Sequence, residues 1–503
     1  MKITVLEMLA RCFYCVWICL ATLVPAMACC GATMAAARQA SQVVVHPHRT
    51  INSGIFGLGV QWEQYVYPPA AQQWSVILQR VSFMRPGFLR VMGANDGNWR
   101  LQPEVPLILG WAQKHHSQVI LGTWWAPPLY HRYSLQPMAP DALRRWADDT
   151  VRSIARFRLK DDFTCIHFYN FVNEPQNVPI ARWASVAKAL EAALARIGIA
   201  QAVKIIGPDT YGDPGNDPSY HFPLLRQVAQ DAGHTVGLYD IHWYPEDKEI
   251  LNGLIEPTLV REKHFVISLD RTAADKPFIV SESGLIQGRC NGDQQPRVKT
   301  FNYGVLMADY ATQVFRAGWD GISAWDLDDA MCVVKGQPIV HPPGKLALKI
   351  WGFWNSQGPA MGDPADFNIR PWFYTWSLMS RLFPSGSRIV VADEPAGRAE
   401  THGFGQFRTL AGTHIVDGKP VISVVLVNDN KIGRNVVVRI VADTNTATFT
   451  EYRYFRKDRP VDAQGFPVAA KILHDVIPAR GITITMPGRG VVFLTNRAPF
   501  RTP

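Results

Sequence analysis

Two glutamates occupy settings that would make them chemically useful. In FYNFVNEPQN, Glu174 follows Asn173 at the end of an apolar run that Pro175 terminates, and in PFIVSESGL, Glu282 closes a second such run. A carboxyl group at the carboxyl end of a buried strand projects toward the mouth of its sheet, and a proline cannot continue the ladder beyond it. Two carboxyl groups held face to face can cleave an acetal. One protonates the leaving oxygen while the other attacks the anomeric carbon or activates a water, which is the requirement of glycosidic cleavage. The question is whether any fold brings residues so distant in sequence together.

The chain supplies eight candidate positions for such ends. Short runs rich in β-branched or aromatic residues occur at IFGLGVQW (55–62), FLRVMG (88–93), VILGTWW (119–125), IHFYNFVNE (166–174), VKIIGPD (203–209), GLYDIHWY (237–244), PFIVSES (277–283) and GISAWDL (321–327). Each is too short for a helix and is bounded by turn formers, so each reads as a strand buried on both faces. Between them lie segments of helical period, such as Leu143, Trp146, Val151, Ile154 and Phe157, then Trp183, Val186, Leu190, Leu194 and Ile197. Repeated strand and helix units predict an α/β fold, a (β/α)8 barrel over residues 51–385, although a doubly wound sheet has the same local pattern. In a closed barrel the fourth and seventh strands face each other across the mouth, and Glu174 and Glu282 approach.

After the helix-like RPWFYTWSLMSRLFPSG (370–386) the texture changes to short strands at close spacing, which predicts a C-terminal antiparallel β-sandwich over 386–497. The stretch at 42–50 precedes the first barrel strand, and as an isolated strand it can pair with that sandwich.

Five strand ends now stand in order: Arg90 at the second, NEP at the fourth, HWY at the sixth, an ES pair at the seventh and Trp325 at the eighth. In this order they resemble the clan A glycoside hydrolases, which are retaining β-glycosidases on a (β/α)8 barrel. The resemblance implies that Glu174 is the acid/base and Glu282 the nucleophile. It further implies that Arg90 and Tyr244 hydrogen-bond the nucleophile, that Asn173 contacts the sugar 2-hydroxyl, that Trp325 floors the subsite of the cleaved sugar, and that His242 is a polar site residue. The trailing sandwich, WWAPP and HWYP lean toward family 30, with family 39 next, while GLGVQWEQY departs from family 30's usual Gly-rich turn. An arginine and a phenol beside Glu282 should keep it ionised, and a neighbouring negative charge should keep Glu174 protonated.

The remaining features set the context. The formal charge of +9 arises from 51 basic and 42 acidic residues mixed along 503 positions, with no basic run suited to nucleic acid. Lys2 and Arg11 flank an apolar stretch ending in Pro25 and Ala26-Met27-Ala28, which reads as a signal peptide over 1–28. A secreted or periplasmic protein, with no membrane association after signal removal, is expected; Cys29 also permits a lipoprotein. Cys290 lies shortly past Glu282 and Cys332 shortly past Trp325, in adjacent loops on one face of the barrel, which predicts a disulfide in an oxidising compartment and leaves Cys165 as a buried free thiol. Trp325, Trp124 and Trp125 are candidate sugar platforms. Trp62 and Trp99 serve equally as platforms or as barrel packing. Asp326, Asp328 and Asp329 read as a solvated loop without the spacing of a calcium site.

These readings converge on an exported retaining β-glycoside hydrolase with a carbohydrate substrate and no metal or other cofactor. Two alternatives are a noncatalytic carbohydrate-binding barrel, which should lack one carboxylate, and a metal-dependent barrel hydrolase, which needs more than His242 at its strand ends. The sugar, its linkage, endo or exo action and the oligomeric state are not encoded legibly.

Overall fold

The computed structural model describes residues 41–93, 104–124, 126–129, 138–212, 222–334, 347–395, 407–441 and 445–500. The signal-like stretch, Trp99 and Trp125 lie outside them.

Eight parallel strands close into a barrel in sequence order: β2 (Gly57–Gln61), β3 (Phe88–Gly93), β4 (Gln118–Thr123), β5 (Ile166–Asn170), β6 (Lys204–Tyr211), β7 (Val236–Trp243), β8 (Phe278–Ser283) and β9 (Gly321–Ala324). Closure is direct, with Gly57 to Val60 of β2 opposite Gly321 to Ala324 of β9. The closed ring excludes the doubly wound alternative. Helices between the strands form where the 3.6-residue period placed them. Pro140–Ala155 and Ile180–Ile197 each bury one apolar stripe, and the latter stops at Gly198, whose φ of 83° an L side chain rarely adopts.

The two-residue period of the strands explains how the barrel interior is layered. Phe88, Ile120, Phe168, Ile206, Leu238 and Ile279, one from each of six strands, pack into an apolar plug at the amino-terminal ends. Two residues further along, the same inward face carries Arg90 on β3, Asp240 on β7 and Ser281 on β8. One more step on β7 reaches His242. The polar site is therefore built on top of the plug, at the carboxyl ends of the strands.

The C-terminal region is a continuous sheet folded over its own core, and this is how the expected sandwich is made. Its order is β15 (Lys471–Val476), β14 (Ala447–Phe455), β17 (Gly490–Thr495), β12 (Lys419–Asn428), β11 (Phe407–Val416), β10 (Arg388–Asp393), β1 (Ser41–Ser53), β13 (Arg434–Ile440) and β16 (Ile482–Met486). The N-terminal β1 runs antiparallel to β10 and parallel to β13. In β12, Val424 and Leu426 face the sandwich core while Val425 and Val427 join the barrel's core, so the run VISVVLV, apolar but for Ser423, is buried on both faces.

Candidate active site

Arg90 is the centre of the network at the barrel mouth. Fully buried on β3, it donates through Nη1 to Glu282 Oε2 at 3.0 Å and through Nη2 to Asn173 Oδ1 at 2.7 Å and Asp209 Oδ2 at 2.9 Å. It also bonds Gln61 at the end of β2. One guanidinium thus ties the ends of β2, β3, β6 and β8 to the loop after β5, using the fork geometry that arginine alone provides.

Glu174 lies beyond the end of β5, in the loop, with a φ of 49°. Two main-chain hydrogen bonds hold this loop: Asn173 N–H donates to the Trp124 carbonyl at 3.2 Å, and Glu174 N–H to the Asp209 carbonyl at 3.0 Å. His242 then bridges the carboxylates. Its Nδ1 is 3.0 Å from Glu174 Oε1 and 3.5 Å from Glu282 Oε2, and its Nε2 is 3.0 Å from Asp209 Oδ1. Tyr244 donates its phenolic hydrogen to the other oxygen of Glu282. The two candidate carboxyl groups differ in exposure, 34% for the Glu174 side chain against 8% for that of Glu282. That difference leaves Glu174 open to proton exchange with water and Glu282 sequestered.

Burial would push His242 down, but the carboxylates of Asp209 and Glu282 hold it well above the ordinary imidazole range. Its protonated form can donate from both nitrogens, to Glu174 and to Asp209. Asp209, despite burial, is held well below the ordinary carboxylate range by Arg90 and His242. Its neighbour Asp240, which accepts from the Asp209 N–H and the Ser281 hydroxyl, is pushed far up by burial and by Asp209. For Glu282 burial also dominates. It sits above the ordinary range even though His242 and Arg90 pull it down, whereas the residue types alone suggested a carboxylate kept ionised by its neighbours.

These groups open into a cleft of about 1330 Å³ whose wall also includes Glu63, Trp124, Trp325, Lys349 and Trp351. Trp325 follows β9 directly and meets Trp351 edge to face at 5.6 Å, and Trp351 in turn meets Tyr244 at 5.3 Å. Trp62 does not belong to this wall. Gln61 takes the inward position on β2, so the next ring points outward, where Trp62 is fully buried against Trp111.

The expected disulfide is absent. Cys290, Cys332 and Cys165 are all free: Cys332 turns its thiol to the buried Glu63, with Sγ 3.2 Å from Oε1, while Cys290 lies exposed in an isolated bridge with Gln294. Cys165 is the buried thiol expected. The acidic run after Trp325 is likewise not a solvated loop, because Asp326, Asp328 and Asp329 are all fully buried. Asp329 pairs with Arg370 at 2.5 Å, and Asp328 accepts from the Trp354 indole at 2.9 Å and from the Ser356 N–H. They fix the segment that delivers Trp351.

No protein-family model and no curated protein matches the chain. Solved structures do match its fold. A family 30 endoxylanase from Clostridium papyrosolvens is similar at 12% identity and a TM-score of 0.59, over 91% of this chain and 100% of that one. An α-L-arabinofuranosidase from Thermotoga maritima matches at 12% identity and 0.59, covering 92% and 100%. A family 39 glycoside hydrolase from Bacteroides cellulosilyticus matches at 13% and 0.54, covering 88% and 81%. In fold, the chain is similar to the clan A glycoside hydrolases.

Within this barrel, the residues separate into those the strand ends revealed and those they did not. Arg90, Asn173, Glu174, His242, Tyr244 and Glu282 converge on one network, and Trp124 and Trp325 line its cleft. Asp209, Glu63 and Trp351 are additions. Asp209 ends the run VKIIGPD and could have been found there; Trp351 arrives from a long segment after the last strand and carried no local signal. Glu174, His242 and Glu282 offer ligand atoms within 4.8 Å of one another, as do Asp209, Asp240 and His242.

Proposed function

We propose that the protein is an exported retaining β-glycoside hydrolase acting on β-linked oligo- or polysaccharides. The observation that carries this reading is the approach of the two carboxyl groups, with an oxygen of Glu174 and one of Glu282 within 4.8 Å. Inverting enzymes need roughly 6.5–9.5 Å to admit a water beneath the sugar, while retaining pairs stand about 5–5.5 Å apart. In this reading Glu282, oriented by Arg90 and Tyr244, attacks the anomeric carbon as Glu174 protonates the departing oxygen. Glu174 then removes a proton from the water that releases the glycosyl-enzyme. The glycosidase names of the similar structures and the aromatic cleft wall support a sugar ligand, and this two-carboxylate chemistry needs no metal or organic cofactor. Export rests on the signal-like N-terminal sequence.

The test is to screen β-linked oligosaccharides and aryl β-glycosides for hydrolysis and to follow the anomeric protons by NMR before mutarotation. The first product should have the β configuration. An initial α product would make Glu282 a base and the enzyme inverting.

A further inference from the structure

On the face of the barrel opposite the cleft, basic groups gather that no acid answers. Arg85 follows the helix Ala71–Met84 and precedes β3, and Arg381 lies in the last turn of the helix Trp372–Leu382. From the sheet, Arg497 follows β17 and His414 stands near the end of β11. Contacts tie them to one place. The Phe500 ring carries the guanidinium of Arg381 at 4.2 Å and that of Arg497 at 5.1 Å, and it is itself stacked on Tyr452 at 5.6 Å. Arg381 Nη1 donates to the Phe83 carbonyl at 2.7 Å, two residues before Arg85.

These groups have donors to spare. Arg381 keeps a buried Nε, and His414 keeps both ring nitrogens, without a hydrogen-bond partner among the described residues. The side chains of Arg85 and Arg497 make no ion pair or hydrogen bond among those residues either. The charges also work against one another. Burial together with Arg497 and Arg85 pushes Arg381 down to about 10, and burial together with Arg85 pushes Arg497 down. Burial and Arg497 push His414 down to about 4, so at neutral pH it is uncharged and has one ring N–H to give. The acid felt here is Asp417, exposed in the turn after β11, and its pull on Arg497 is weaker than the push of Arg85.

Buried donors left unpaired and like charges held together are both costly, and an anion would relieve both at once. Its shape follows from the donors. One guanidinium fork satisfies the two oxygens of a carboxylate, whereas three forks and an imidazole arriving from separate elements suit a tetrahedral group with more oxygens. We propose that Arg85, Arg381, Arg497 and His414 form a binding site for a phosphoryl group, built across the junction of barrel and sheet. The site is separate from the cleft, so the inference stands or falls independently of the glycosidase reading.

The experiment is calorimetric titration of the full chain with inorganic phosphate and with glycerol 3-phosphate, at an ionic strength held constant with sodium chloride. It is made on the unsubstituted protein, Arg85→Ala, Arg497→Ala and, as a control, Arg152→Ala, which removes an exposed arginine paired with Asp149 on another helix. Without phosphate, Arg85→Ala should leave the thermal midpoint unchanged or raised, because it removes a like charge and no hydrogen bond. Phosphate should raise the midpoint of the unsubstituted protein and bind it at least tenfold more tightly than either site variant, while Arg152→Ala behaves as the unsubstituted protein. The proton resonances of the His414 ring, identified by their loss in His414→Gln, should shift over the same phosphate concentrations as the heat. Binding of glycerol 3-phosphate as well as phosphate would support a phosphoryl group carried on a larger molecule, and binding of inorganic phosphate alone would support the free ion. No heat with either ligand, an affinity that either site variant keeps, a His414 ring that does not respond, or an equal rise in midpoint with sodium chloride alone would each overturn the proposal.

Discussion

At the scale of single residues, the two glutamates should fail differently when removed. Glu282→Ala is expected to lower kcat by about 10⁴-fold or more on every substrate, because no other group can form the covalent bond. Glu174→Ala should cost about 10²–10⁴-fold where the leaving group needs a proton, and much less where it does not. Added azide should rescue the second variant alone and give a β-glycosyl azide; equal loss in both without rescue would contradict the assignment. Glu63 has a separate signature in stability. Its carboxyl titrates at about 7 in the folded chain against 4.5 as the reference, so the native state keeps a proton that the unfolded chain releases. The resulting stabilisation is complete below pH 4.5 and is lost as pH rises through about 7. Unfolding free energies of Glu63→Gln from denaturant titration at pH 4 and pH 8 should therefore differ less than those of the unsubstituted protein, by up to about 3 kcal/mol. A native protein whose stability is flat over that range would show that burial does not perturb Glu63.

At the scale of elements, β6 and β7 act through their ends. Asp209 on β6 sustains the positive charge of His242 on β7, so Asp209→Asn should let the imidazole fall toward its ordinary range. The alkaline limb of the activity profile should then move down by about one pH unit or more, and an unmoved limb would remove His242 from the working network. The acid limb should lie above the ordinary glutamate range, since burial raises Glu282 and a protonated nucleophile cannot attack. What the sequence made legible follows the same division. Runs such as GLYDIHWY and PFIVSES carry both their strand and their inward polar residues in a local two-residue pattern, and so the barrel and most of its mouth could be read. The same alternation sends Trp62 outward, because Gln61 takes the inward position at the end of β2, whereas Cys332 lies outside the strands and its thiol is directed by its contact with Glu63. The buried Asp328 and Asp329 look like loop residues because their partners, Trp354 and Arg370, come from a segment without strand periodicity. Cys332 and Cys290 should accordingly titrate as free thiols after unfolding without reductant, together with Cys165, and reductant should leave the melting temperature unchanged.

At the scale of the whole molecule, barrel and sandwich share a wall. Val425, Val427, Tyr452, Tyr454, Val491 and Phe493 of the sheet pack in the same core as the barrel helices Phe301–Arg316 and Trp372–Leu382. Arg408 on β11 reaches into this wall and pairs with Asp309 of the first of those helices, both fully buried. Breaking a buried pair from one side leaves an uncompensated charge, so Arg408→Ala should cost about 3–5 kcal/mol and lower a single, shared unfolding transition. Two resolved transitions in calorimetry would mean that the wall does not couple the halves. The position of β1 adds a constraint of timing. It is threaded between β10 and β13, which are made only after the whole barrel, so the earliest described strand must wait through most of synthesis for its neighbours. Until then Val43 and Val45, fully buried in the finished protein, have nowhere to go, and a chain released early would present them as an open edge to other chains. The last hundred residues therefore decide not only whether the sandwich forms but whether the first strand ever stops being sticky.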